Sequence, residues 1–489
     1  MRLRILGLIA GFLGLVSALS AQGNKVLVVL EDEADKSKYS QLWAGLSDRG
    51  FQLSYQTPKA TGLSLFQHGV PAYTHLLLLP TKSKGLGPNL TPNLIVEFVN
   101  AGSNVLLTLS SETGVPSAIA SLLLELDIAL PPDRNSVVVD HFNYDAKSAG
   151  EGHDTLLLSS TKAKAGLKDY FSFPSGLLAL PHPVGQVLGP ASPLLSSIVK
   201  APSTAYTHDS KSDSTTESID DVFATGNQIT LVSAFQARNS ARFTVLGSAE
   251  ALEDKWFDAS VQLPSSSSNA KATAEKTSNK AFAAALTAWT FKETGVLKVE
   301  SVNHRLAADT PKDSTSKAVT GHSFLNLEEN PSIYRIKNNV HYTIALSEWS
   351  HNSWQPFQPA TSDAVQLEFS MLSPFHRLNL SPSTTQSTAN STLLEADFTL
   401  PDQHGIFNFL VEYRRPFLTN IEEKRSVTVR HFAHDEWPRS FAISGAYPWI
   451  GGVWITIGAW VVFVALWLYS APAKPRGELK VQGGKGGGR

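Results

Sequence analysis

A run of about 21 residues near the end of the chain, from Trp449 to Tyr469, carries no charged side chain. At about 1.5 Å of rise per residue, a helix of that length crosses a hydrocarbon core of about 30 Å. Aromatic residues that favour membrane interfaces lie toward both ends of the run, at Trp449, Trp454, Trp467 and Tyr469. The run therefore predicts one transmembrane helix, residues 449–469, and the rest of the chain is expected to be held at a membrane.

The sequence at the two ends of the chain predicts its orientation. Arg2 and Arg4 precede an apolar run, and small residues follow that run, which is the pattern of a secretory signal peptide. Residues 1–21 are therefore predicted to be a signal peptide, with the mature chain starting near Gln22. Residues 470–489 hold several lysines and arginines against a single acid, and such an excess marks the cytoplasmic side. The predicted topology is type I, with a large N-terminal part outside the cytoplasm and a short cytoplasmic tail.

Cysteine is absent from the chain, and its charges are nearly balanced. Small secreted modules commonly rely on disulfides, so the domains of this chain are expected to be held by hydrophobic cores alone. The absence of cysteine also excludes a thiol nucleophile and a thiolate metal site. With 41 basic and 43 acidic residues, the chain lacks the positive excess that would predict binding to nucleic acid.

Residues 22–139 alternate strand-like and helix-like segments. The apolar run from Lys25 to Leu30 is typical of a strand that is buried on both faces of a parallel sheet. Helical and extended segments then alternate, which predicts an α/β domain with a mainly parallel sheet of the Rossmann or flavodoxin type. The glycine-rich turn that binds dinucleotides does not follow the first strand. Residues 140–295 continue with short extended runs and a helical segment at 282–291, which predicts a second α/β domain continuous with the first.

The sequence pattern changes at Val296. From there to residue 440, extended runs with alternating polar and apolar residues are separated by Pro, Gly, Ser and Asn, without convincing helical segments between them. This pattern is typical of antiparallel sheets, so residues 296–440 are predicted to form a membrane-proximal β-sandwich. We expect such a module to present a binding surface rather than to perform chemistry.

Three places carry side chains that chemistry could use. Ligands of open α/β sheets bind at the carboxyl ends of strands, which makes the acidic segment Glu31–Asp35 one candidate. At the second place, Asp140 could orient the imidazole of His141 as a general base. The third place holds residue types that bind metals: His431, His434, Asp435 and Glu436. Each place also has a simpler interpretation. Glu31–Asp35 can be a solvated acidic loop, and the sequence places no nucleophile beside Asp140 and His141. No helix is expected to align the histidines of the third place. We therefore assign no catalytic, cofactor-binding or metal-binding residue.

Two further sets of residues have predicted roles outside catalysis. The Asn-X-Ser/Thr pattern of N-glycan acceptors occurs at Asn89, Asn379 and Asn390. A proline follows the first two of these patterns at once, so Asn390 is the favoured acceptor. Within the predicted span, small residues that let a second helix approach closely in lipid occur at Gly451, Gly452 and Gly458.

Six sequence blocks carry a resemblance to a known family. They are SDRGFQLSYQTP (47–58), LSLFQHG (63–69), VVVDHFNYD (137–145), SAFQARNSARFTVLGS (233–248), WTFKETGVLKV (289–299) and VQLEF (365–369). Their order and spacing resemble those of the non-catalytic DDOST/Wbp-type subunit of the endoplasmic-reticulum oligosaccharyltransferase, in a fungal-like form. The resemblance covers nearly the whole mature chain.

The resemblance implies a role in protein N-glycosylation, in which a complex transfers an oligosaccharide from dolichyl diphosphate to Asn in Asn-X-Ser/Thr. In that family the chemistry and a divalent metal belong to a different subunit with many helices, so this chain is expected to bind no cofactor. The expected partners are that catalytic subunit, a ribophorin II/Swp-type subunit and a small DAD-type subunit. The expected location is the endoplasmic-reticulum membrane, with the large N-terminal part in the lumen. The expected contribution is assembly, together with positioning of the acceptor or the glycan.

Two other functions stay open at this point. The first is an independent lumenal enzyme, which would need a site at Glu31–Asp35 or at Asp140 and His141. The second is a single-pass surface receptor or adhesion protein, which the topology and the β-rich module alone suggest. Alanine substitutions at Glu31–Asp35 and at Asp140 and His141 test the first alternative. A location in the endoplasmic reticulum rather than at the cell surface excludes the second.

Overall fold

The computed structural model describes residues 20–82, 85–149, 151–159, 168–173, 176–190, 192–209, 222–264, 274–307, 329–383, 387–433 and 446–472. The chain divides into two compact units, residues 1–429 and 430–489, and each is described by itself. Nearly all of the predicted signal peptide and most of the predicted cytoplasmic tail lie outside the described residues.

The first part of the larger unit mixes strands and helices up to residue 290. Its helices are α1 (Ser40–Asp48), α2 (Pro92–Asn100), α3 (Ser117–Glu125), α4 (Asp254–Phe257) and α5 (Asn279–Thr290). Short 3-10 helices occupy Glu33–Tyr39, Gly226–Gln228 and Glu250–Leu252. Its strands are β1 (Lys25–Val29), β2 (Gln52–Gln56), β3 (Phe66–Gln67), β4 (Val70–Pro71), β5 (His75–Leu78), β6 (Asn104–Thr108), β7 (Ile128–Ala129), β8 (Ser136–Val139), β9 (Thr155–Leu158), β10 (Leu178–Pro181), β11 (Val187–Leu188), β12 (Leu195–Lys200), β13 (Tyr206–Asp209), β14 (Thr230–Gln236), β15 (Arg242–Leu246), β16 (Ser260–Val261) and β17 (Glu275–Lys276).

Seven of these strands form one mixed sheet in the order β12-β14-β15-β6-β5-β1-β2. Neighbouring strands from β2 to β15 run parallel, whereas β14 and β12 are antiparallel to the strands beside them. The predicted combination of helices with a mainly parallel sheet is thus found in coarse outline. Strands β6 and β15 are neighbours in the sheet although they come from the two predicted segments, 22–139 and 140–295. Both segments therefore share one sheet, and a domain boundary between them stays a prediction.

Strand β1 shows why a continuous apolar run becomes a central strand. Successive side chains of a strand point to opposite faces of the sheet. Val26 packs on one face, in a buried cluster with Trp43 of α1, and Leu27 packs on the other face, in a cluster with Phe98 of α2. Every residue of β1 after Lys25 is buried. Helices therefore cover both faces of the sheet, and its strand ends and loops are left for contacts with other molecules.

The second part of the larger unit is built from strands. They are β18 (Thr294–Leu306), β19 (Ile333–Arg335), β20 (Asn339–Ser350), β21 (Ser353–Pro356), β22 (Gln366–Ser370), β23 (Pro374–Asn379), β24 (Ser381–Pro382), β25 (Thr392–Thr399), β26 (Gly405–Tyr413) and β27 (Ile421–Arg430). They form two five-stranded sheets, β18-β20-β25-β24 with β21 beside β20, and β19-β27-β26-β22-β23. The long strands of each sheet pair antiparallel, as the alternating pattern predicts.

Aromatic side chains make contacts between these two sheets. Phe409 of β26 stacks on Tyr342 of β20 with ring centroids 5.4 Å apart. Phe369 of β22 lies 5.5 Å from Phe398 of β25. Phe409, Tyr342 and Phe369 are fully buried. Because the contacting rings come from different sheets, the two sheets share an aromatic core.

Arg242, at the start of β15, joins the mixed sheet to the strand-rich part. Its side chain is fully buried and donates hydrogen bonds to three carbonyl oxygens, those of Trp289, Thr294 and Gly295. The guanidinium also lies 4.7 Å from the ring of Trp289. Burial lowers the pKa of Arg242 to about 9. Carbonyl oxygens at the carboxyl end of α5 carry partial negative charge, which compensates the buried cation.

An ion pair between Arg49 and Glu293 makes a second connection at this junction. Arg49 follows α1, and its Nη1 lies 2.8 Å from Oε1 of Glu293, whose side chain is fully buried. Nη2 of Arg49 donates to the Thr287 hydroxyl of α5 at 2.8 Å. The backbone carbonyl of Glu293 accepts from the amide of His351, which follows β20. Burial raises the pKa of Glu293, and the pairing with Arg49 opposes that rise.

The smaller unit contains helix α6 (Tyr447–Tyr469). The helix has 23 residues and a mean hydropathy of 2.0, so among the described helices it is the one long and apolar enough to cross a membrane. The predicted span, 449–469, lies within it. Its described side chains are exposed or half-buried.

Candidate functional site

The carboxyl ends of the parallel strands carry acidic and imidazole side chains. The predicted segment Glu31–Asp35 follows β1, and Asp32 and Glu33 are exposed to solvent. Asp35 pairs with Lys38 at 3.0 Å within the following 3-10 helix, which raises the pKa of Lys38. The acidic segment is therefore at the predicted edge of the sheet, with part of its charge neutralised locally.

His182 is the centre of a charged cluster at the same edge. It directly follows β10, and its Nδ1 lies 3.0 Å from Oε1 of Glu250, which follows β15. Its Nε2 lies 3.4 Å from Oδ2 of Asp154, and Glu112, which follows β6, is 3.8 Å from Nδ1. Hydrogen bonds to Asp154 and Glu250 raise the pKa of His182 to about 10. The imidazole is thus charged at neutral pH, and it holds the pKa of Asp154 below its usual value.

The positive charge of the His182 imidazole limits the chemistry that this cluster can perform. The ligand atoms of Glu112, His182 and Glu250 lie within 4.8 Å of one another, a spacing that a metal ion could use. A metal binds a neutral imidazole nitrogen, whereas both ring nitrogens of His182 face carboxylates and carry protons. An imidazolium with a pKa of about 10 is also poorly matched to proton transfer near pH 7. The cluster is best suited to tying together the loops that follow β6, β10 and β15.

Sequence reasoning missed this cluster because four separate elements supply it. One signal was nevertheless present. Strands β6 and β15 end at Thr108 and Leu246, and in each case a glutamate, Glu112 or Glu250, comes four residues later. Equal offsets after two neighbouring parallel strands bring side chains to the same point of a sheet edge. His182 offered no such signal, because it follows β10 of a separate two-stranded sheet.

The structure does not join Asp140 to the ring of His141. Asp140 is fully buried and accepts hydrogen bonds from the amides of Phe142 and Asn143 and from the hydroxyl of Thr204. The ring of His141 instead contacts His153, with their Nδ1 atoms 2.5 Å apart, and its Nε2 lies 2.9 Å from the Tyr206 hydroxyl. Asp140 therefore holds a loop, and the general-base pair that a lumenal enzyme would need is not formed among the described residues.

The three predicted glycan acceptors occupy different surroundings. Asn89 is half-buried, and the hydroxyl of Thr91 in its acceptor pattern caps α2 by accepting from the Leu94 amide. Asn379 is exposed at the end of β23, where its Oδ1 accepts from Gln366 at 2.8 Å. Asn390 is exposed in the turn before β25. Exposure in a turn suits an acceptor, and glycan occupancy at all three stays a prediction.

The predicted helix-packing glycines lie in α6 at Gly451, Gly452 and Gly458. Apart from the nearby backbone of the helix itself, a Cβ atom placed at any of them would meet no atom within 4 Å among the described residues. The packing role stays a prediction. His431 is exposed directly after β27, whereas the rest of its proposed metal set, His434, Asp435 and Glu436, lies outside the described residues.

Comparison with known proteins identifies the family. The family model described as OST48, N-terminal domain, matches residues 17–293, and the OST48 middle domain matches residues 322–471. The chain is 33% identical to the dolichyl-diphosphooligosaccharide–protein glycosyltransferase subunit wbp1 of Schizosaccharomyces pombe, over 95% of this chain and 96% of that protein. It is 32% identical to the 48 kDa subunit of the same enzyme from Caenorhabditis elegans, over 93% of both chains. The corresponding Arabidopsis thaliana subunit is 28% identical, over 91% of this chain and 92% of that protein. The chain belongs to the OST48 family.

Proposed function

We propose that the chain is a non-catalytic, accessory subunit of the oligosaccharyltransferase complex, which transfers the dolichyl-diphosphate-linked oligosaccharide to Asn in Asn-X-Ser/Thr of nascent proteins. The observation that carries this proposal is similarity over almost the full length of relatives named as subunits of that glycosyltransferase. Nearly full coverage supports conservation of the whole subunit rather than of one shared module.

The geometry of the candidate sites supports a non-catalytic role. The most concentrated cluster, around His182, is an ion-pair network whose imidazole is already protonated. Asp140 is used to hold a loop rather than to orient a base. One membrane helix also cannot enclose a polyprenyl donor, so we place the active site and its divalent metal on another subunit, and no cofactor on this chain.

We extend the proposal to the fold type of each part, the location of the chain and its partners. We take the seven-stranded sheet to be of the Rossmann or flavodoxin type and the two five-stranded sheets to be a membrane-proximal β-sandwich. We place the chain in the endoplasmic-reticulum membrane as a single-pass type I protein, with residues 22–440 in the lumen and 470–489 in the cytoplasm. The partners are a catalytic subunit with many helices, a ribophorin II/Swp-type subunit and a DAD-type subunit. Assembly and positioning of the acceptor or glycan are the contributions of this chain.

Substitutions in the intact complex test the non-catalytic role. His182→Gln and Glu250→Gln should leave glycan transfer per assembled complex unchanged, because neither side chain contacts a reacting atom. In contrast, Gly451→Leu with Gly458→Leu should reduce the amount of complex recovered, since these glycines lie about two turns apart on one side of α6. Val464→Leu, on roughly the opposite side of the helix, is the matched control. Loss of transfer in complexes that assemble normally with His182→Gln would contradict the proposal.

A further inference from the structure

Exposed apolar side chains are concentrated at one end of the two-sheet part. The four concerned are Ile333, Leu372, Phe375 and Ile406, with 57%, 98%, 36% and 65% of their surfaces exposed. The other large apolar side chains exposed in the described part of the larger unit, Val70, Leu124, Phe142 and Leu263, are dispersed over the mixed-sheet region. Scattered exposed apolar residues are normal on a protein surface, whereas a group at one end marks an interaction site.

Strand pairing places the four side chains at that end, where Phe375 follows Pro374 at the start of β23. Leu372 is at the tip of the hairpin that joins β22 to β23, where Ser370 pairs with Pro374. The neighbouring Met371 reaches Gly405, at the start of β26, closely enough that a Cβ on this glycine would lie 2.8 Å from the methionine sulfur. Ile406 pairs with Thr428 of β27, whose amide donates to the carbonyl of Ser332 beside Ile333.

The opposite end of the same strands packs on the mixed-sheet region. The amide of Leu297, near the start of β18, donates a hydrogen bond to the hydroxyl of Thr419, just before β27. The indole of Trp289 in α5 donates to the carbonyl of Phe417 at 2.8 Å. Strand β27 therefore runs away from the mixed sheet, and Val429 at its far end pairs with Gly405 beside the exposed apolar group. The chain leaves the strand there, and α6 begins about 17 residues later, at Tyr447.

We propose that this apolar end, defined by Ile333, Leu372, Phe375 and Ile406, binds the surface of the lipid bilayer, with Leu372 inserted among the lipid headgroups. This inference rests on the proposed membrane span, because the end that faces the bilayer is identified as the end at which the chain continues toward α6. A charged pair at the same end, Lys337 and Asp402 at 2.8 Å, suits the headgroup layer.

The shape of the apolar end favours lipid over a protein partner. Leu372 projects from a hairpin tip with 98% of its surface exposed, so it offers a point for insertion rather than a flat face. A standard protein interface takes about 20–30 residues from each side, and four side chains are few for that purpose. A shallow insertion needs only a few apolar groups beside charged ones.

The absence of cysteine makes a site-specific test direct, because each introduced cysteine carries the only thiol. Leu372→Cys and Ile406→Cys in the full chain are labelled with an environment-sensitive fluorophore and reconstituted in lipid nanodiscs. Quenching by lipids with a spin label near the headgroup is compared with quenching by iodide in the water. Leu124→Cys, at a similarly exposed apolar position of α3, is the matched control, and Ile457→Cys in α6 reports insertion of the helix.

The expected result is severalfold stronger lipid quenching at Leu372→Cys and Ile406→Cys than at Leu124→Cys, with the opposite order for iodide. Equal iodide quenching at Leu372→Cys and Leu124→Cys would overturn the inference. Protection of Leu372→Cys from iodide without lipid quenching, seen only in the assembled complex, would also overturn it and assign the surface to a partner subunit. Absence of lipid quenching at Ile457→Cys would show that α6 does not cross the membrane, and it would overturn the inference together with the proposed span.

Discussion

Removal of Arg49 is expected to destabilise the junction between the mixed sheet and the strand-rich part. Arg49 is the ion-pair partner of Glu293, whose carboxylate is fully buried, and the second oxygen of that carboxylate has no hydrogen-bond partner in the described structure. Arg49→Met keeps much of the apolar stem but leaves a buried charge without its partner. Breaking a buried pair in this way costs about 3–5 kcal/mol, far more than loss of a surface pair.

The expected loss depends on pH in a defined direction. Burial already raises the pKa of Glu293 above its usual value, and loss of Arg49 removes the groups that oppose this rise. A carboxyl whose pKa is raised in the folded state favours folding most at low pH, and this contribution falls as pH rises through the folded pKa. In Arg49→Met the free energy of unfolding should therefore fall by up to about 1.4 kcal/mol per pH unit between pH 5 and pH 7.

Urea unfolding of the full chain in detergent, followed by tryptophan fluorescence at pH 5 and pH 7, measures this effect. Arg238→Met is the control, because Arg238 is exposed and such a change is expected to stay within about 0.5 kcal/mol. Adding Glu293→Gln to Arg49→Met should recover much of the loss at pH 7, since the unpaired charge is then gone. If Arg49→Met lost the same stability at both pH values, or if Glu293→Gln gave no recovery, an unpaired buried carboxylate would not be the cause of the loss.

Three further predictions concern other parts of the chain. His182 should stabilise the folded chain fully below its ordinary pKa of 6.5, and this stabilisation should disappear as pH rises toward about 10. The difference in thermal midpoint between wild type and His182→Gln should therefore narrow over that range. An unchanged difference would contradict the ion-pair cluster. Asn390→Gln should abolish an endoglycosidase-sensitive mobility shift of the chain, and persistence of the full shift would assign the glycan elsewhere. Because residues 1–21 are predicted to be removed, the N-terminus determined by mass spectrometry should lie near Gln22; a mature chain that retains Ser20, whose buried hydroxyl donates to the Phe291 carbonyl at 2.7 Å, would contradict that prediction.

Local sequence patterns predicted the elements whose residues face a core with a regular period. The run Lys25–Leu30, predicted to be a buried strand, contains β1 (Lys25–Val29), and the helical segment predicted at 282–291 lies almost entirely within α5 (Asn279–Thr290). The long strand β18 was not recognised as one element. Its polar residues are exposed, half-buried or, at His304, buried in no regular order, and its strand conformation depends on pairing with β20, which is distant in sequence.

The candidate site was less predictable than the fold, for a physical reason. Glu31–Asp35 could be placed at the sheet edge because it directly follows β1, so one local pattern sufficed. The His182 cluster draws on loops after β6, β10 and β15 and on Asp154 before β9. Contacts of that kind arise from the order of strands in the sheets, which the periodicity of a single segment does not determine.

Purification of the tagged chain in mild detergent shows whether the chain acts as an accessory subunit of a larger glycosyltransferase. Proteins that accompany the chain are identified, and transfer of a dolichyl-diphosphate-linked oligosaccharide to a peptide containing Asn-X-Ser/Thr is measured in the same preparation. We expect co-purification of a glycosyltransferase with many membrane helices, together with transfer activity that is lost when that partner is removed. A chain that is isolated alone and inactive under the mildest extraction, or one that transfers glycan without a partner, would rule out an accessory role.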